Sequence, residues 1–113
     1  MTQIEPTWVP DACTLPTADQ PLRLVEFDAL FAADVIEVRQ PSTDTALLTL
    51  RPDASVAARA ADLAVRETAC CSFFEFTLTA TGGQLAMQIR TPAAQIEVLD
   101  AVVERARRAA AAR

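Results

Sequence analysis

Histidine, lysine and tyrosine are absent from the 113 residues, glycine occurs twice and tryptophan once. The missing histidine excludes a Ser-His-Asp triad, a Cys-His pair, an HExxH zinc helix and a Cys2His2 finger. The missing tyrosine removes a phenolic acid or base. Positive charge is scarce too: ten arginines face fifteen acidic residues, for a net charge of −5. Phosphate attraction needs a concentrated basic surface, so no nucleic-acid partner is expected. No apolar run is long enough to span a bilayer, and MTQIEPTWVP lacks the basic-then-apolar profile of a signal peptide. A cytoplasmic chain with no membrane partner and with reduced thiols is the expectation. One domain of this size can bury a core without disulfides. What remains for chemistry is three cysteines, Cys13, Cys70 and Cys71, with carboxylates, hydroxyls and arginines.

Four of the seven prolines, Pro6, Pro10, Pro16 and Pro21, fall in the first 21 residues, where they forbid a continuous helix. Residues 1–18 are expected to form an extended arm carrying Cys13 and Trp8, the latter as a hydrophobic anchor, and 19–113 a single α+β domain. From Asp19, an N-capping residue type, PLRLVEFDALF spaces Leu24, Phe27 and Phe31 helically and predicts a short helix over 19–32. VIEVRQ and TALLTLR read as strands joined at 41–44, with Ile36, Val38, Leu48 and Leu50 on one face. Asp53 or Ser55 can cap a helix through SVAARAADLAVRETA. FFEFTLTA and QLAMQIR flank Thr81-Gly82-Gly83, a hairpin signal, and would bury Phe74, Phe76, Leu78, Leu85, Met87 and Ile89. A last helix beginning near Pro92 shows Ile96, Leu99, Val103 and Ala106 on one side.

The two halves share this plan, and LTLRPDASV can be laid over MQIRTPAAQI with one slip. The expected fold is therefore α+β: a ββαββα antiparallel four-stranded sheet with its helices on one face, preceded by the Pro-rich arm and the short helix. The other face would carry Glu37, Arg39, Thr49, Arg51, Glu75, Thr77, Gln88 and Arg90 with Leu47 and Phe73 among them. Such a face is either solvated or paired with a second copy, so a homodimer is a candidate assembly.

Chemistry concentrates in ETACCSFFEF. On a helix Glu67, Cys70 and Cys71 stand at i, i+3 and i+4 and converge on one patch. The apolar stripe Val56, Ala60, Leu63 continues into Glu67 and Cys70, and a carboxylate there is costly to bury without a partner or a function. A catalytic thiol needs activation by histidine, a helix N-terminus or positive charge. Here the helix C-terminus and Glu67 oppose deprotonation, with only Arg66 nearby in sequence to offset them. A bound soft cation reverses this, because it deprotonates the thiols itself and gains from the negative end of the helix dipole. Thiolates select Cu(I), and Hg(II) and As(III) share the preference for sulfur. Cys13 on its arm is the candidate third ligand for a trigonal Hg(II) or As(III) site, whereas Zn(II) would want a fourth such as Glu67. Against this stands ordinary packing, since free cysteine behaves as a small hydrophobe and Cys13 can be an incidental thiol. A vicinal Cys70–Cys71 disulfide ranks lower in a reducing compartment. The arginines of ERARRAAAAR suit the negative end of a solvated helix.

With E-x-x-C-C-S-F-F-x-F, a glycine hairpin and a proline before an amphipathic helix, residues 46–106 resemble small, mostly uncharacterised bacterial proteins with a Cys-Cys-x-Phe-(Phe or Leu)-x-Phe signature. The resemblance carries over to Glu67, Cys70, Cys71, Phe73, Phe74 and Phe76. Such proteins are often associated with metal-responsive regulators of the mercury-resistance type, which implies soft-metal or organomercurial handling. Three readings follow. The first is a cytoplasmic thiolate-binding protein for Hg(II), organomercurials or As(III), with Cys70 and Cys71 as ligands and Cys13 as a third. The second is a non-catalytic dimeric interaction domain with structural cysteines. The third is an enzyme similar to organomercurial lyases in using two cysteines and one carboxylate, with Glu67 as the catalytic acid.

Overall fold

The computed structural model describes residues 19–70 and 73–112. The chain runs α1 (Asp19–Asp34), β1 (Val35–Ser42), β2 (Thr45–Leu50), α2 (Ala54–Cys70), β3 (Glu75–Thr81), β4 (Gln84–Arg90), a 3-10 turn (Ala93–Gln95) and α3 (Ile96–Ala111). The ββαββα order and α+β class expected from the sequence are present, and Gly82 and Gly83 turn the second hairpin at φ +58° and +77°. The arm, residues 1–18, lies outside the described residues. The expected helix over 19–32 is present with two further residues, matching α3 at 16 residues, and runs directly into β1. It is a structural member of the domain, placing Phe27, Leu30 and Phe31 in the main core.

The sheet order is β1-β2-β4-β3, antiparallel throughout, so β2 and β4 are central and β1 and β3 are edges. Leu48, Leu50, Leu85, Met87 and Ile89 point inward and are buried, while Phe76 and Leu78 on the edge strand pack against the same core. Ile36 departs from expectation, being 54% exposed while Val35 is buried. The register between β1 and β2 breaks between Val35 and Glu37, and an extra residue there reverses the side-chain alternation. Two further residues leave the outer face assigned to them. Arg51 lies beyond β2 and bonds to Asp34, and Phe73 precedes β3 and packs on Phe74 with ring centroids 4.6 Å apart.

The register contains an internal two-fold. Leu48, Thr49, Leu50 and Arg51 superpose in sequence on Met87, Gln88, Ile89 and Arg90, and Leu48 pairs with Met87 across the sheet centre. A residue paired with its own counterpart lies on the axis. The flanking pairs obey the same operation: Leu47–Gln88 maps onto Thr49–Ala86, and Ser42–Thr45 maps onto Thr81–Gln84. Without any slip, this offset places the start of α2 at Ala54 over the start of the 3-10 turn at Ala93. The slip that aligned Pro52 with Pro92 is therefore not taken; the counterpart of Pro92, which opens the 3-10 turn, is Asp53, which opens α2.

All three helices contribute to one core on one face of the sheet. α3 lies over β1 and β2, α2 over β3, and α1 packs against both other helices. Polar ties fix these positions. Arg105 of α3 grips Asp28 of α1 in a bidentate pair at 3.1 and 2.5 Å. Asp34, 3% exposed, receives Arg51 Nε at 3.1 Å and the Arg59 guanidinium on its other oxygen, joining the ends of α1 and β2 to α2. Among the described residues no helix is long and apolar enough to cross a membrane.

Candidate functional site

α2 begins at an Asp53 cap. The Asp53 carboxylate accepts the Ser55 backbone N–H at 3.0 Å and the Ser55 hydroxyl at 2.9 Å, which together hold it below the usual carboxylate range. From that start the helix buries Val56, Ala60, Leu63, Ala64 and Glu67, a stripe at the i, i+3, i+4 spacing of a core-facing helix. Val56, Ala60 and Leu63 are the residues the sequence assigns to it. Beyond them the stripe runs on, as expected, into a carboxylate, and Glu67 is 1% exposed.

Burying Glu67 is not an incidental consequence of helix length. Val65, two residues earlier, is 67% exposed, so an apolar residue faces outward while the acid faces inward. A carboxylate withdrawn from water loses hydration worth several kcal/mol even after the protein relaxes around it. Rotating α2 to exchange the two would expose Leu63 and Ala60, which are held at 1% and 0%. The hydrophobic stripe fixes the orientation of the helix, and Glu67 goes where the stripe takes it.

Three residues beyond Glu67, Cys70 is the last residue of α2. Its backbone therefore stands at the C-terminal, negative end of the helix dipole, and the last turn contains no basic residue. Arg66 cannot offset that field. Its guanidinium donates to Glu26 of α1 at 3.0 Å and to Asp62 at 2.9 Å, and these bonds, Glu26 first, push its pKa further up. Cys71 and Cys13 lie outside the described residues, as does the side chain of Cys70, so the approach of the three sulfurs is not part of the described geometry. Among the described residues no group of three acidic, cysteine or histidine side chains is arranged to hold a metal ion.

Immediately beyond the cysteines, Phe73, Phe74 and Phe76 form a chain of rings, with Phe74 and Phe76 at 5.7 Å and Phe76 and Phe27 of α1 at 6.4 Å. The described residues on either side of residues 71–72 are packed, through the buried stripe of α2 before them and the phenylalanine rings after them. Two polar features escaped the sequence reading. One is the Asp34–Arg51–Arg59 cluster, whose partners are 17 and 25 residues from Asp34 and carry no motif. Both arginines are used in holding the acid, which makes the cluster a structural tie. The other is Thr91, 5% exposed, whose hydroxyl has no hydrogen-bond partner among the described residues.

The class these features define is an α+β domain with a buried carboxylate leading to a cysteine at a helix C-terminus. No family model, curated protein or solved structure matches the chain.

Proposed function

We propose that this chain is a cytoplasmic soft-metal-binding protein that captures Hg(II), organomercurials or As(III) on the thiolates of Cys70 and Cys71, with Cys13 of the arm as a third sulfur. The observation that carries the proposal is the burial of Glu67 on the core stripe one helical turn before Cys70. A buried acid and a helix C-terminus both hold thiols protonated in the absence of metal. They favour the same thiols once a soft cation supplies compensating positive charge. Such a site stays inert toward oxidants and electrophiles until its cargo arrives. Handling in a resistance context is what the likeness to proteins associated with mercury-type regulators suggests.

Titrating the reduced chain with Hg(II), As(III), Cu(I) and Zn(II), following thiolate-to-metal absorption and native mass, tests this. A tight one-ion complex, lost in Cys70→Ser/Cys71→Ser with folding intact, is expected. Equal affinity in that double variant would sink the idea. In the lyase-like version, the Glu67 carboxyl transfers its proton to the carbon of a thiolate-held organomercurial, the carbon–mercury bond breaks and Hg(II) stays on the sulfurs. That version requires Glu67→Gln to stop phenylmercury turnover while sparing Hg(II) binding, and absence of turnover by the wild type ends it. A second reading draws on the ring chain of Phe73, Phe74 and Phe76 beside the cysteines. If the thiols only pack there, Cys70→Ala and Cys71→Ala lower stability and no metal raises it.

A further inference from the structure

The two edges of the sheet are built differently. β1 is irregular twice, between Val35 and Glu37 and between Arg39 and Ser42, and it carries Pro41, Glu37 and Arg39. Bulges, proline and charge are the means by which proteins keep an edge from pairing with another strand. β3 has neither a bulge nor a proline. It pairs with β4 in unbroken register from Glu75 to Thr81, contains no proline or glycine, and its single charge, Glu75, stands at one end. No described strand pairs with its outer edge.

We infer that β3 is the dimerisation edge, pairing antiparallel with β3 of a second copy to make one continuous eight-stranded sheet. The occupant follows from the sequence of the strand. Leu78 is the midpoint of EFTLTAT, so a two-fold through it sets Leu78 against Leu78, Thr77 against Thr79, Phe76 against Ala80 and Glu75 against Thr81. Apolar residues meet on the core side, where Phe76 and Leu78 are half-buried and Ala80 is exposed, and on the other side Thr77 meets Thr79 and Glu75 meets Thr81. Thr–Thr and apolar cross-strand pairs are favourable, and no like charges oppose each other. The two Glu75 carboxylates are carried to opposite ends, about 20 Å apart at the rise of a strand. The chain's own arm is a poor alternative, because Pro6, Pro10 and Pro16 remove ladder donors and leave no seven-residue stretch between them. The protected β1 edge blocks head-to-tail addition, so assembly closes at two copies. Because β3 starts five residues after Cys70, the pairing also keeps the two cysteine segments at opposite ends, giving each copy a site of its own.

Native mass and concentration-dependent amide exchange on the full chain test this. A dimer is expected, with amides of 75–81 exchanging more slowly as concentration rises. Thr77→Lys/Thr79→Lys sets like charges across the two-fold and should yield a monomer with an unchanged far-UV spectrum and loss of that concentration dependence. If the variant does not fold, the exchange pattern of the wild type alone decides. A wild-type monomer, a dimer without concentration-dependent protection of 75–81, a folded double variant that still dimerises, or a dimer abolished instead by Leu47→Lys on the sheet face overturns the inference.

Discussion

The helices that follow the two hairpins bury side chains at the same spacing, Ala60, Leu63, Ala64 and Glu67 on α2 and Leu99, Val102, Val103 and Ala106 on α3. The offset between the sets is the one that relates β2 to β4, so these positions are counterparts under the internal two-fold. Three are apolar in both halves. At the fourth, one half holds Ala106 at 0% exposure and the other holds Glu67 at 1%. The architecture therefore has an apolar solution for this position and uses it once. The acid stands in the half whose helix ends in Cys70.

Exchanging the two solutions should produce the largest effect. Ala106→Glu brings a carboxylate and its volume into the closed core beneath α3, with no cysteine segment beyond it. A loss of about 4 kcal/mol or more, or outright failure to fold, is expected in denaturant unfolding. A folded variant of near wild-type stability would show that α3 tolerates an acid there and that the comparison carries no information. Next in size, Leu63→Ala and Leu99→Ala each remove a fully buried leucine, one per half. Each should cost about 2–5 kcal/mol. A loss confined to one half would break the symmetry argument.

Glu67→Met reverses the exchange in the other direction, with similar volume and no charge. A gain of about 1 kcal/mol is expected from equilibrium unfolding of the metal-free chain. A clear loss would mean that Glu67 is part of what holds the fold together. The smallest effect concerns the helix starts, where Asp53 caps α2 through Ser55 while its counterpart Pro92 makes no side-chain cap. Because hydrogen bonds from Ser55 lower the Asp53 carboxyl in the folded chain, its contribution is complete above the ordinary carboxylate pKa and is lost as pH falls through the lowered one. Asp53→Ala should lower Tm at neutral pH, with the difference from wild type shrinking in acid, whereas Pro92→Ala should show no such pH dependence.

Much of this arrangement was legible in the sequence because it rests on local periodicity. The inward stripe of α2, its continuation into Glu67, the Asp53 start and the Gly82-Gly83 hairpin all follow from neighbours within a turn or two. Ile36 was misplaced because period-two reasoning assumes an unbroken ladder, and one extra residue before Glu37 inverts every assignment on its far side. Asp34 was not legible because its two arginines reach it from other elements, and an acid at the end of a helix normally reads as solvated. The two-fold was visible as a weak likeness, but prolines drew the alignment one residue out of place, and only the Leu48–Met87 pairing fixes it. For the cysteines the sequence supplied the spacing, and the structure supplies the burial of Glu67 and the engagement of Arg66.

If Glu67 occupies its core position for the benefit of the thiols beyond it, removing its charge should raise the stability of the metal-free chain and weaken its response to Hg(II). Thermal unfolding of reduced wild type and Glu67→Met, each with and without one equivalent of Hg(II), tests it in a single experiment. The metal-free variant should melt above the wild type, and Hg(II) should raise its Tm by less, since binding to the folded state stabilises according to affinity. A metal-free variant that melts lower, with the Hg(II)-induced rise unchanged, would contradict it and make Glu67 a structural residue.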